Sequence, residues 1–217
     1  MTNLFSVFDP CTGMFSLNWL STSLFVIIIP YKFWLTPNKS LILYQKIMMT
    51  LNKEIYTLMP YNGTSIMFTS LFLMILINNI MGLIPYIFTA SSHLIFSLSL
   101  GLPIWMSLMI YGWLFKTNMM MSHLVPSGTP SMLMPFMVMI ETISNLIRPL
   151  SLAVRLTANM IAGHLLMSLL GNNCSVSITL MISSMFIFLM LMMFEAAVAM
   201  IQSYVFMTLT TLYSSEI

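Results

Sequence analysis

Five side chains able to carry or steer a proton sit where an apolar chain should not keep them: Glu141, Arg148 and Arg155 in one long hydrophobic run, His164 further along it, and Glu195 in the next. An ionisable group inside a membrane span costs about 2.5–3.5 kcal/mol on insertion scales, so these residues point to movement of charge. With Arg155 as zero on a helical wheel, Glu141, Ser144, Arg148, Ser151 and Asn159 fall within about 40° of it, a polar stripe about 27 Å long. Glu141 and Arg148, seven apart, either neutralise each other or belong to a path. Arg155 has no acid three or four residues away, so its partner belongs to another helix or another chain. His164 lies about 180° from Arg155 and faces a different neighbour. The last helix offers Glu195 and Gln202, again seven apart, and His164 with Glu195 could form a proton-accessible cluster. Ala153, Ala158, Ala162 and Gly163 on one run and Ala196, Ala197 and Ala199 on the other permit close helix approach, within the pair or to a second helical body passing Arg155.

The elements that must position these groups follow from composition. Only 12 of 217 residues are charged, and mean hydropathy is +0.97. A soluble domain carries roughly a quarter charged residues, so this chain needs lipid as its main solvent. It has the length for several spans of about 20 residues and no room for a soluble catalytic domain. Residues 15–35 read as a first span, with Trp19 and Trp34 near the two headgroup belts and Lys32 snorkelling from its end. Over 39–59, Lys39, Lys46 and Lys53 form one stripe, while Leu41, Tyr44, Met48, Leu51, Ile55 and Leu58 gather opposite, the pattern of an amphipathic helix lying on the membrane surface. Residues 65–88 and 94–115 read as a helical pair. Residues 132–170 and 176–212, of 39 and 37 residues, would be nearly twice the length of a hydrocarbon core of about 30 Å. Either Pro149 breaks the first of them or both lie steeply tilted as an antiparallel hairpin. The expectation is an all-α polytopic membrane protein, a single membrane domain over 1–217, with five crossings and one surface helix. Four lysines between the first and second spans place the N-terminus on the far side and the C-terminus on the lysine side.

Other chemistries find little support. His93, His123 and His164 lie in different segments without metal-ligand spacing, and Cys11 and Cys174 are far apart, so no metal or cofactor is expected. There is no phosphate-binding glycine loop, and a net charge of +2 is too small to argue for nucleic acid. The 26 methionines lie on every face, in runs such as Met119 to Met121, which reads as substitution pressure in an AT-rich organellar genome. The start carries no basic n-region or Arg-rich presequence. Synthesis inside a mitochondrion is therefore expected. A subunit of a respiratory complex or a secondary transporter would also hold intramembrane charges in broken helices, although no convincing internal repeat is visible.

The runs ETISNLIRPLSLAVRLTANMIAGHLL at 141–166, AMIQSYVFMTLTTLYSSE at 199–216, NNIMGLIPYIFT at 78–89 and HLVPSGTP at 123–130 resemble the a subunits of mitochondrial F-type ATP synthases, insect versions above all. Residues 1–64 agree mainly in layout. The resemblance implies the stator half of a rotary proton motor in the mitochondrial inner membrane. Its partners would be a ring of c subunits, the other Fo subunits, the peripheral stalk, lipids and protons. It implies the N-terminus in the intermembrane space, the C-terminus in the matrix, and no enzyme activity or nucleotide binding by this chain alone. Arg155 matches the family's essential arginine, and Asn159 and Gln202 match polar positions near it. His164 and Glu195 match the pair lining one proton half-channel, and Glu141 with Arg148 resembles the polar mouth of the other.

Overall fold

The computed structural model describes residues 4–11, 15–59, 63–125, 130–173 and 178–216. Cys174, part of the turn expected between the two long helices, lies outside them, as do residues 126–129 of HLVPSGTP. The described residues hold helices and no strand: 3-10 turns at Leu4–Phe8, Leu17–Ser23 and Ala90–Ser92, and α1 Leu24–Ile28, α2 Lys39–Leu58, α3 Thr64–Gly82, α4 Leu94–Phe115, α5 Thr117–Leu124, α6 Met134–Asn173 and α7 Ile178–Ser215.

Local chemistry sets several boundaries. The first apolar stretch, read as a span over 15–35, is helical only over Leu17–Ile28, about 21 Å with the 3-10 turn Leu17–Ser23 rising about 2.0 Å and α1 about 1.5 Å per residue. Pro30 follows, and a residue before proline is driven out of the helical region; Ile29 is extended, with ψ 123. Trp34 and Lys32 therefore lie beyond helix. Asn38 caps α2, its side chain accepting from the Lys39 amide at 2.7 Å. On α2, Leu41, Leu51 and Ile55 are buried, whereas Leu58, expected on the same side, is exposed and Met59 takes the buried place. Gly63, at φ 99, makes the left-handed turn into α3. That helix stops at Gly82 rather than near 88, three residues before Pro85, and Tyr86 sits in the turn at φ 70.

Among the described residues four helices are long and apolar enough to cross a membrane: α3, α4, and the greater part of α6 and α7. The last two have 40 and 38 residues, about 60 and 57 Å. Pro149 lies inside α6, buried, and the helix continues through it.

Three apolar clusters hold the helices together. Leu51 and Ile55 of α2 pack on Phe68 and Phe72 of α3 and Met207 of α7. Ile75 meets Leu152, Leu156 and Phe206, and Leu83 meets Met167 and Ala199. Along α3 the contacted positions of α6 rise while those of α7 fall, so α6 runs parallel to α3 and α7 antiparallel to both. At the other end of the bundle the N-terminal segment is fastened by His93, whose Nε2 donates to the Phe8 carbonyl at 3.0 Å. The His93 ring lies 5.2 Å from both Trp19 and Phe88.

Candidate functional site

The polar residues of α6 and α7 divide into three levels. At one end, Arg148 holds two carboxylates: its Nη2 lies 3.5 Å from Glu141 Oε1, and its Nη1 donates to Glu216 Oε2. The Tyr213 ring covers the guanidinium at 5.1 Å, a cation–π contact. These groups line a cavity of about 710 Å³ with Trp105, Trp113, His123 and Asn145.

In the middle, Asn159 Nδ2 donates to Gln202 Oε1 at 3.0 Å, joining the two long helices. Arg155 lies one turn away on α6 and is exposed, while Leu152, Ala153, Leu156 and Thr157 form the buried side of the same helix. Among the described residues no carboxylate lies within ion-pair distance of Arg155.

At the far end Glu195 is 7% exposed and its carboxylate presses on Gly163, where a Cβ would overlap it. The missing side chain at 163 makes room for the acid. His164 follows Gly163 in sequence, its ring edge-on to Phe8 with centroids 6.2 Å apart. Its Nε2 is buried without a hydrogen-bond partner. Glu195 and His164 therefore occupy one end of the helix pair without a direct hydrogen bond between them. Among the described residues no three His, Cys, Asp or Glu side chains gather to hold a metal.

The profile of the ATP synthase A chain family matches residues 14–215. The chain belongs to that family. It is 58% identical to ATP synthase subunit a of Aedes albopictus over 224 aligned residues, covering 100% of this chain and 99% of the relative. Against ATP synthase subunit a of Drosophila melanogaster the identity is also 58%, over 222 residues and with the same coverage. With that of Anopheles gambiae it is 55% over 224 residues, again with 100% and 99% covered.

In this chain two sets of polar residues lie outside those singled out by the spacing argument. Glu216 reaches Arg148 from 68 residues away; it stands at the end of the last apolar run, where an acid looks like an ordinary solvated terminus. Asn78 and Asn79 sit in α3 with buried amide atoms lacking partners, as does the Ser91 hydroxyl. Ile75, one turn earlier, touches Leu152, Leu156 and Phe206, and a Cβ on Gly82, one turn later, would meet Met160. The two amides are thus level with the Asn159–Gln202 pair. Two adjacent amides in an otherwise apolar run were the available signal.

Proposed function

We propose that this chain is the proton-conducting stator subunit of the Fo sector of a rotary ATP synthase in the mitochondrial inner membrane, providing two offset half-channels on either side of Arg155. The observation that carries the reading is the exposed Arg155 guanidinium, without a carboxylate partner among the described residues, midway between two separate polar clusters. Arg148 is seven residues from it and Gly163, the seat of Glu195, is eight, so the clusters stand about 10–12 Å to either side along α6.

Physical chemistry makes this arrangement directional. A guanidinium in a water-poor gap stabilises the ionised form of an approaching carboxylate, so a ring carboxylate passing Arg155 gives up its proton. The same positive charge excludes protons from the gap and blocks a direct leak between the clusters. A proton taken up at Glu195 and His164 must then ride the ring before leaving past Glu141 and Arg148, with Asn159 and Gln202 as polar contacts on the way. One charge crossing 100 mV is worth about 2.3 kcal/mol, so several protons are needed per ATP. Phosphorylation itself belongs to other subunits, and this chain binds no nucleotide.

The same reading sets the architecture: five crossings, with α2 on the membrane surface and α6 and α7 as a steeply inclined antiparallel hairpin against the c ring. The N-terminus faces the intermembrane space and the C-terminus the matrix, and the other Fo subunits and the peripheral stalk complete the stator. Family membership leaves no specific support for a respiratory-complex subunit or a secondary transporter.

Substitution of Arg155 by Ala or Gln in a reconstituted complex tests the reading, with proton transport and ATP synthesis measured together. Both should fall to background. Coupled transport near normal rates would overturn it.

A further inference from the structure

We infer that the outward face of α2 is a docking surface for anionic phospholipid headgroups. Lys39, Lys46 and Lys53 recur every seven residues and are all exposed. At 100° per residue their row points about 180° away from the centre of the face formed by Leu41, Leu51 and Ile55, which is buried against the bundle. Successive ammonium groups stand about 10 Å apart along the helix. Among the described residues none of the three has a carboxylate within ion-pair distance. Glu54, the acid of this helix, accepts a hydrogen bond from Tyr204 Oη at 3.1 Å.

The row alone would suit water. Its neighbours do not. Ile42, Met49 and Tyr56 repeat the same spacing of seven and are 43%, 63% and 55% exposed, forming an apolar row only about 60° from the lysines. An apolar row beside a cationic one, both facing away from the protein, fits the boundary between acyl chains and headgroups. The apolar side chains enter the acyl layer and the lysine stems carry their charges up to phosphate level. At the start of the row, Lys32, Trp34 and Tyr31 line a recess of about 230 Å³. Lys32 thus adds a fourth cation near the first turn of α2, where the recess also takes in Ser40 and Leu41, and negative lipid is the complement of these charges.

This inference rests on α2 lying at the membrane surface, and a photoactivatable phosphatidylcholine, which labels residues 39–58 whenever α2 meets the bilayer, separates the two. The intact complex is reconstituted in vesicles of phosphatidylcholine with a photoactivatable phosphatidylglycerol, and the lipid crosslinked to residues 39–58 is quantified by peptide mapping. The wild type should label there, and labelling should fall about fivefold for each lysine changed to Gln, the equivalent of roughly 1 kcal/mol per charge. The Lys39→Arg/Lys46→Arg/Lys53→Arg variant should keep the label, which separates charge from a structural effect. Equal labelling of the wild type and the triple Gln variant would overturn the inference, as would loss of label on adding inorganic phosphate at constant ionic strength. Carbodiimide coupling that joined these lysines to an acidic protein segment in the same vesicles would overturn it too. Proton pumping in phosphatidylcholine alone reports separately on the motor, which the triple Gln variant should leave unchanged.

Discussion

The Asn159 amide donates to Gln202 Oε1 across 3.0 Å, fixing the rotation of α7 against α6 one turn from Arg155. Gln202 is 6% exposed and Asn159 half-buried, so replacing the glutamine with Leu takes the partner from a partly hydrated donor, at a cost of about 0.5–1.5 kcal/mol. Thermal unfolding of the purified complex should register the loss, and coupled proton transport should fall. A double-mutant cycle with Asn159→Ala should return a coupling of about 0.5–1.5 kcal/mol; additive effects would mean the bond is not formed.

Gly163→Ala places a methyl group on the Glu195 carboxylate. Overpacking of this kind costs about 1–3 kcal/mol, and proton transport should fall more than the yield of assembled complex. Shortening the acid with Glu195→Asp in the same chain should recover assembly. Normal transport by the single variant would place Glu195 elsewhere.

The two acids around Arg148 should respond unequally to losing it. Glu216, with a side chain 53% exposed, is a surface partner, and Glu216→Gln should cost about 0.2–1 kcal/mol. Arg148→Gln leaves both carboxylates facing each other and should cost clearly more, with Arg148→Lys between them because a lysine cannot reproduce the planar fork. Differential scanning calorimetry of the three variants checks the order.

Leu156 has no exposed surface and packs on Ile75, Leu152 and Phe206. Leu156→Ala should destabilise the bundle by about 2–5 kcal/mol, and Ile75→Val by about 0.5–1.5 kcal/mol. Comparable melting temperatures for both would show that the cluster is loosely packed.

The membrane class and the family were legible because they rest on properties of single residues: scarce charge, apolar runs and a dense motif around Arg155. The pairing of groups was less so. The wheel puts Glu141, Arg148, Arg155 and Asn159 on one stripe, yet Glu141 and Arg148 share a cavity with Glu216, Arg155 is exposed and Asn159 meets Gln202, partners that approach from 43 to 68 residues away. His164 and Glu195, which the spacing lets form one cluster, stand beside each other at Gly163. The ring of His164 also meets Phe8, a residue of an N-terminal segment with no periodic signal. The first apolar stretch shows the limit of counting hydropathy: Pro30 ends its helix by backbone sterics that a hydropathy average does not contain.

Pro149 has a consequence at the level of single lone pairs. Having no N–H, it cannot donate to the carbonyl of Asn145 four residues earlier, and α6 nevertheless continues through it. Asn145 lines the cavity that holds Arg148 and the two acids. The helix therefore leaves the Asn145 carbonyl without the amide that a regular turn would have given it. One proline thus fixes the path of the chain and also frees one backbone acceptor in a residue of the cavity wall.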